Sequence, residues 1–180
     1  MNSYFRRQLA EYAEYHRNDF NRWMHIIGNP ILALAAFLPF SLLPITLFGV
    51  HLNAAMFLVM PALILWMTFD LAIGMAIVVS AIPLLLAAAA IANNVSVGWV
   101  WITTVLLTVL GWATQIVGHQ VFERRKPALL DNPSHMLMSP MYVFAKLYIA
   151  LGFRPDLAAV LGKLPERTPL YEGDGPADLG

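Results

Sequence analysis

The sequence predicts an all-α, polytopic membrane bundle of about four transmembrane helices, with an N-terminal amphipathic helix and a C-terminal interfacial or re-entrant helix. Three observations carry this. Hydrophobic residues make up 59% of the chain and charged residues only 12%, where a soluble domain carries roughly 25% charged. Between Trp23 and Phe122 the only Asp, Glu, Lys or Arg is Asp70. Arginine-rich stretches flank this apolar block at both ends.

Residues 2–16 (NSYFRRQLAEYAEYH) form the amphipathic helix, with Tyr4, Phe5, Leu9, Tyr12 and His16 near helical spacing and the charges elsewhere. RNDFN follows, and its Asn18, Asp19 and Asn21 are capping residues that mark a break. The break matters for two histidines. His16 and His25 are nine residues apart; at about 100° per residue a continuous helix would point them in opposite directions. A turn between them lets both face one space.

The first crossing is expected from about Trp23 to Pro44, with Pro30 and Pro39 bending it or setting its ends. The second runs from about Asn53 to Phe69 and the third from about Leu71 to Ala92, with Asp70 and Gly74 marking the turn between them. Asn93–Gly98 (NNVSVG) is a polar turn, and the fourth crossing runs from about Trp99 to Gly118. Residues 141–153 (MYVFAKLYIALGF) are too short to span and carry Lys146, so they are read as interfacial or re-entrant. Residues 1–161 thus form one membrane-embedded domain, and the Pro-, Gly- and charge-rich residues 162–180 a flexible tail.

Basic residues favour the cytoplasmic ends of membrane segments. Arg6, Arg7, Arg17 and Arg22 precede the block and Arg124, Arg125 and Lys126 follow it. Both clusters share a side only if the number of crossings is even. The expected topology is therefore multi-pass with both termini cytoplasmic, in an inner membrane or an endoplasmic reticulum. Asp70 then faces the same side, and His51 the other. The first twenty-two residues are polar, so no cleavable signal is expected. The absence of cysteine excludes disulfides and thiolate sites. Zero net charge and the lack of any recognition motif speak against nucleic acid.

Four of the five histidines, His16, His25, His119 and His135, fall on the expected cytoplasmic side with Asp70 and Glu123. His119 and Glu123 are spaced i, i+4 and share a helix face, with Gln115 one turn earlier. This pair reads either as a helix end emerging into water, or as an imidazole with a carboxylate that binds a metal or orients its ligand. Two histidines and a carboxylate with open positions are the usual site of a non-haem Fe(II) oxygenase. Asp70 reads equally as a turn cap or a site residue, and His51 as a solvated loop residue. The run Arg124–Lys126 is a topology determinant and phospholipid anchor that could also attract a carboxylate.

Two stretches carry a family resemblance. YHRNDFNRWMHIIGNP (Tyr15 to Pro30) contains H-x-x-G-x-P, and WATQIVGHQVFERRKPALLDNP (Trp112 to Pro133) contains W-x-x-Q-x-x-G-H-x-x-x-E-x-x-x-P-A-L. Together they resemble the membrane family of 2-hydroxy fatty acid dioxygenases that convert phytosphingosine-derived acids to odd-numbered fatty acids. The similarity covers roughly Tyr4 to Leu157. It implies an Fe(II)-dependent enzyme of fatty acid α-oxidation that uses O2, without 2-oxoglutarate, to shorten a 2-hydroxy fatty acid by one carbon. The resemblance implies His16, His25, His119 and His135 as metal ligands, with Glu123, Asp70, Gln115 and Asn21 beside them. His135 matches less well, because that position varies between His and Gln. Lys146 departs from the pattern, standing where an acidic residue is expected. Apart from the resemblance, the histidines are read as ordinary interfacial residues of a small non-catalytic membrane scaffold or lipid-binding protein.

Overall fold

A computed structural model describes residues 1–124 and 132–162 of the chain. Arg125, Lys126, the P-A-L of the second signature and the tail from residue 163 lie outside the described residues. The described chain is a helical bundle that follows the order of the apolar blocks.

Helix α1 spans Ser3–Glu14 and is capped by Asn2, whose side chain accepts from the Phe5 amide at 2.9 Å. It buries Phe5, Gln8, Leu9, Tyr12 and Ala13, the single stripe expected of an amphipathic helix. Tyr4 belongs to the expected face but is exposed. After a turn, Asn18 caps α2 (Asp19–Ser41) by accepting from the Phe20 amide at 2.8 Å. Pro30 and Pro39 both lie inside α2.

The link to α3 (Ala54–Phe69) is ordered, unlike the loop expected there. Strands β1 (Pro44–Leu47) and β2 (Val50–Asn53) pair antiparallel, with Pro44 opposite Asn53. The two tip residues, Phe48 and Gly49, have φ of 50° and 79°, the positive values that a type I′ hairpin turn requires of both central positions. His51 is exposed as expected, but stands on β2 with its Nδ1 3.2 Å from Thr46 Oγ1.

Asp70 ends α3 and caps α4 (Leu71–Asn94), accepting from the Ile73 amide at 3.2 Å. A methyl group on Gly74 would lie 2.6 Å from the Met67 backbone, so glycine permits the tight α3–α4 approach. Helix α5 covers Val97–Val117 and continues as a π-helical segment, Gly118–Glu123. Helices α6 (His135–Ala150) and α7 (Pro155–Leu161) are bent by 118° relative to each other.

Three helical segments among the described residues are long and apolar enough to cross a membrane: Asp19–Ser41, Leu71–Asn94 and Val97–Glu123. Helix α3 occupies the expected second crossing, but its 16 residues are shorter, about 24 Å of helix against about 30 Å of hydrocarbon. The α2–α5 contact is the most extensive helix pair. Glycines bring the two backbones together: a methyl on Gly111 would sit 2.6 Å from Leu32, and methyls on Gly28 and Gly118 would collide with Gln115 and Asn21.

Candidate metal centre

The end of the bundle that holds the α1–α2 turn also holds the π-helical segment, and Glu123 joins them. Its carboxylate accepts the Asn18 backbone N–H, and Asn18 Nδ2 donates to the Phe122 carbonyl at 3.4 Å. This link draws the histidine of the turn toward the histidine of the π-helical segment.

His16, His25 and His119 meet there, with 3, 5 and 3% of their surface exposed. Nε2 of His25 lies 2.9 Å from Nε2 of His16 and 3.2 Å from Nε2 of His119. The potential ligand atoms of all three lie within 4.8 Å of one another.

Outer contacts assign the tautomers. His16 Nδ1 donates to the Tyr12 carbonyl at 2.8 Å, while Tyr12 stacks on the ring at 3.9 Å and Tyr142 donates to the His16 carbonyl at 2.9 Å. Ser139 donates to Asn29 Oδ1 at 3.1 Å, so its oxygen accepts from His25 Nδ1, also at 3.1 Å. Both Nε2 atoms therefore present lone pairs to each other, an arrangement that a cation between them would relieve. Protonation does not readily supply one. Burial, followed by His25, pulls the His16 pKa well below its ordinary 6.5, more than the Tyr12 carbonyl raises it. Nitrogens about 2.1 Å from a first-row metal and about 90° apart lie about 3 Å from each other, so the trio fits a metal ion.

The other expected residues separate. Gln115 lies near the trio's support, with Nε2 3.5 Å from Asn29 Oδ1. Asn21 is fully buried against Gly118, and its amide finds no hydrogen-bond partner among the described residues. His135 is not part of the trio: its Nε2 lies 3.7 Å from Glu11 Oε1, and its ring meets the edge of Tyr12. Asp70 is engaged elsewhere, accepting from Arg154 Nη1 at 3.0 Å and Nη2 at 2.8 Å. Burial raises the Asp70 pKa, but hydrogen bonds from Arg154 and Ile73 outweigh it and hold the carboxyl below its ordinary value.

Sequence reading missed Ser139, Asn29 and Tyr142, and placed Tyr12 only in a helix face. Tyr12 carried a usable signal, since i, i+4 spacing puts it over His16. Ser139 carried none beyond being a hydroxyl in an apolar segment.

The 2-hydroxy-palmitic acid dioxygenase Mpo1-like family matches residues 2–150, a stretch that includes the whole trio. The chain belongs to this family. Among curated relatives of the Mpo1-like family, the 2-hydroxy-palmitic acid dioxygenase MPO1 of Saccharomyces cerevisiae is 43% identical over 56 residues. That match covers 31% of this chain and 32% of the relative, so the chain spans about a third of the length of the curated relative it matches. No solved structure matches.

Proposed function

We propose that this chain is a membrane-embedded, Fe(II)-dependent dioxygenase that shortens 2-hydroxy long-chain fatty acids by one carbon with O2. The observation that carries the proposal is the trio: three buried imidazoles converge, and the two assigned ones hold their protons on the outer side. The name of the yeast relative supports a 2-hydroxy acid as substrate. The change balances without a cosubstrate, since a 2-hydroxy acid and O2 contain the atoms of the next shorter acid, carbon dioxide and water.

His16, His25 and His119 would hold the metal. Fe(II) bound there would supply the redox centre at which O2 and the hydroxy acid react. The chain's own work is positioning and exclusion of water. Tyr12 and Tyr142 set His16, and Ser139 with Asn29 sets His25. Glu123 holds the turn that carries His16, while Gln115 and Asn21 fill the α2–α5 contact behind the trio. Asp70 acts by capping α4 and pairing with Arg154, and His135 by packing on Tyr12 of α1. The reading places the site at the level where hydrocarbon meets water, on the cytoplasmic side, so that the acyl tail stays among apolar residues.

Protein purified anaerobically in mild detergent is expected to carry stoichiometric iron and to lose it in His16→Ala, His25→Ala or His119→Ala. It should consume O2 with 2-hydroxypalmitate and not with palmitate. Wild-type protein that cannot be loaded with Fe(II), or loaded protein inert toward every 2-hydroxy acid, would sink the proposal.

A further inference from the structure

Lys146 has no part in the proposed chemistry. It stands one turn beyond Tyr142 on α6, half-buried, with its Nζ 5.7 Å from the centroid of the Tyr142 ring. That tyrosine also belongs to the site. Its hydroxyl donates to the His16 carbonyl, and its ring lies 5.5 Å from the imidazole of His16. One aromatic side chain therefore neighbours both the ammonium and a trio member.

The charges facing Lys146 are Arg22 and Asp19, both from the first turns of α2. These two pair with each other at 3.0 Å, and the Asp19 side chain is 77% exposed. Glu123, which also acts on Tyr142, is committed to the Asn18 amide. No carboxylate among the described residues forms an ion pair with Lys146. Lys146 thus has one neighbouring cation, Arg22 near the positive end of α2, and one solvated carboxylate, Asp19. A lysine in an apolar helix lays its stem along hydrophobic surface and carries its charge toward the interface. Here the ammonium reaches the ring of Tyr142.

We propose that Lys146, supported by Arg22, is a binding residue for the carboxylate of an amphiphilic acid. It would select acids over uncharged lipids and deliver the headgroup along Tyr142 to the site. The inference rests on the dioxygenase reading, because it names a determinant of that reading's substrate. The anion comes from a fatty acid whose tail remains in the bilayer. A phospholipid phosphate offers similar charge and is an arm of the test.

The test uses the full chain in mild detergent, loaded with Fe(II) under anaerobic conditions, as wild type, Lys146→Met and Lys146→Arg. Binding is measured for 2-hydroxypalmitate, for uncharged 1,2-hexadecanediol and for phosphatidic acid. Lys146→Met is expected to weaken 2-hydroxypalmitate about fivefold, the worth of one interfacial cation. Diol binding and iron content should not change, and Lys146→Arg should restore the acid. In turnover, KM should rise with kcat preserved. Equal binding of 2-hydroxypalmitate by wild type and Lys146→Met would overturn the assignment, as would equal weakening of acid and diol. Loss of phosphatidic acid alone would assign Lys146 to lipid and also overturn it. A loaded wild type that binds no hydroxy acid would instead overturn the dioxygenase reading.

Discussion

Ser139 Oγ lies 3.1 Å from His25 Nδ1 and donates its own proton to Asn29 at 3.1 Å. That one hydroxyl decides which nitrogen of His25 faces the other two histidines. Groups that hold the outer nitrogen of a metal-binding imidazole are worth 10- to 100-fold in affinity, roughly. Ser139→Ala should therefore weaken Fe(II) affinity by about tenfold or more, as read by competition with a chelator. An unchanged affinity would remove Ser139 from the site.

Glu123 separates two roles by a pair of variants. It accepts the Asn18 amide proton, and a glutamine oxygen can do the same. Glu123→Gln should keep iron and most activity. Glu123→Ala leaves a part-buried N–H without its acceptor, at a cost of about 1–3 kcal/mol, and should loosen iron binding as the His16 turn frees. Should Glu123→Gln lose iron as fully as His119→Ala, the carboxylate would itself be a ligand.

Metal-free protein should be acid-sensitive through His16. Its folded pKa is pulled well below 6.5, by burial first. The unfolded chain takes up this proton near 6.5 while the folded chain does not. Stability from this group is complete above the unfolded pKa and is lost as pH falls, down to the folded pKa. The thermal midpoint of metal-free wild type should decline from pH 8 toward pH 5, roughly, and more steeply than that of His16→Gln. Parallel curves would contradict the burial of a neutral His16.

Asp70 and Arg154 clamp the bent end of α6–α7 to the α3–α4 junction, with the Asp70 side chain only 4% exposed. Asp70→Asn keeps a capping side chain for α4 but removes the charge. Breaking a fully buried pair costs about 3–5 kcal/mol, and with Arg154 21% exposed this one should cost less. Arg154→Met should be the worse variant, because it takes two charge-assisted hydrogen bonds from a buried carboxylate. Hydrogen exchange over Pro155–Leu161 is the measurement, and both variants should retain iron. Loss of iron in Asp70→Asn with exchange unchanged would return Asp70 to the site.

Much of this was legible in local sequence. The apolar blocks placed α2, α4 and α5 within a few residues, because helices that face lipid must satisfy their backbone internally and be apolar over their length. Asn18 and Asp70 announced helix starts through capping chemistry, which acts over two or three positions. The hairpin Pro44–Asn53 was missed because a short apolar stretch reads alike as loop or strand. The break at RNDFN and the expected shared side let His16, His25 and His119 meet, but it was the family resemblance that named them, and it named His135 with them.

The sequence by itself determined the membrane class, the helical order and four histidines, His135 among them, that could share a site; the structure set His135 apart. Tertiary structure alone decided their partners: Ser139 for His25, 114 residues away, Glu123 for Asn18, 105 away, and Arg154 for Asp70, 84 away. Periodicity and capping report on neighbours a turn or two distant. Which polar group meets which across a bundle depends on how helices pack, and glycines at 28, 111 and 118 set that packing by letting two backbones approach.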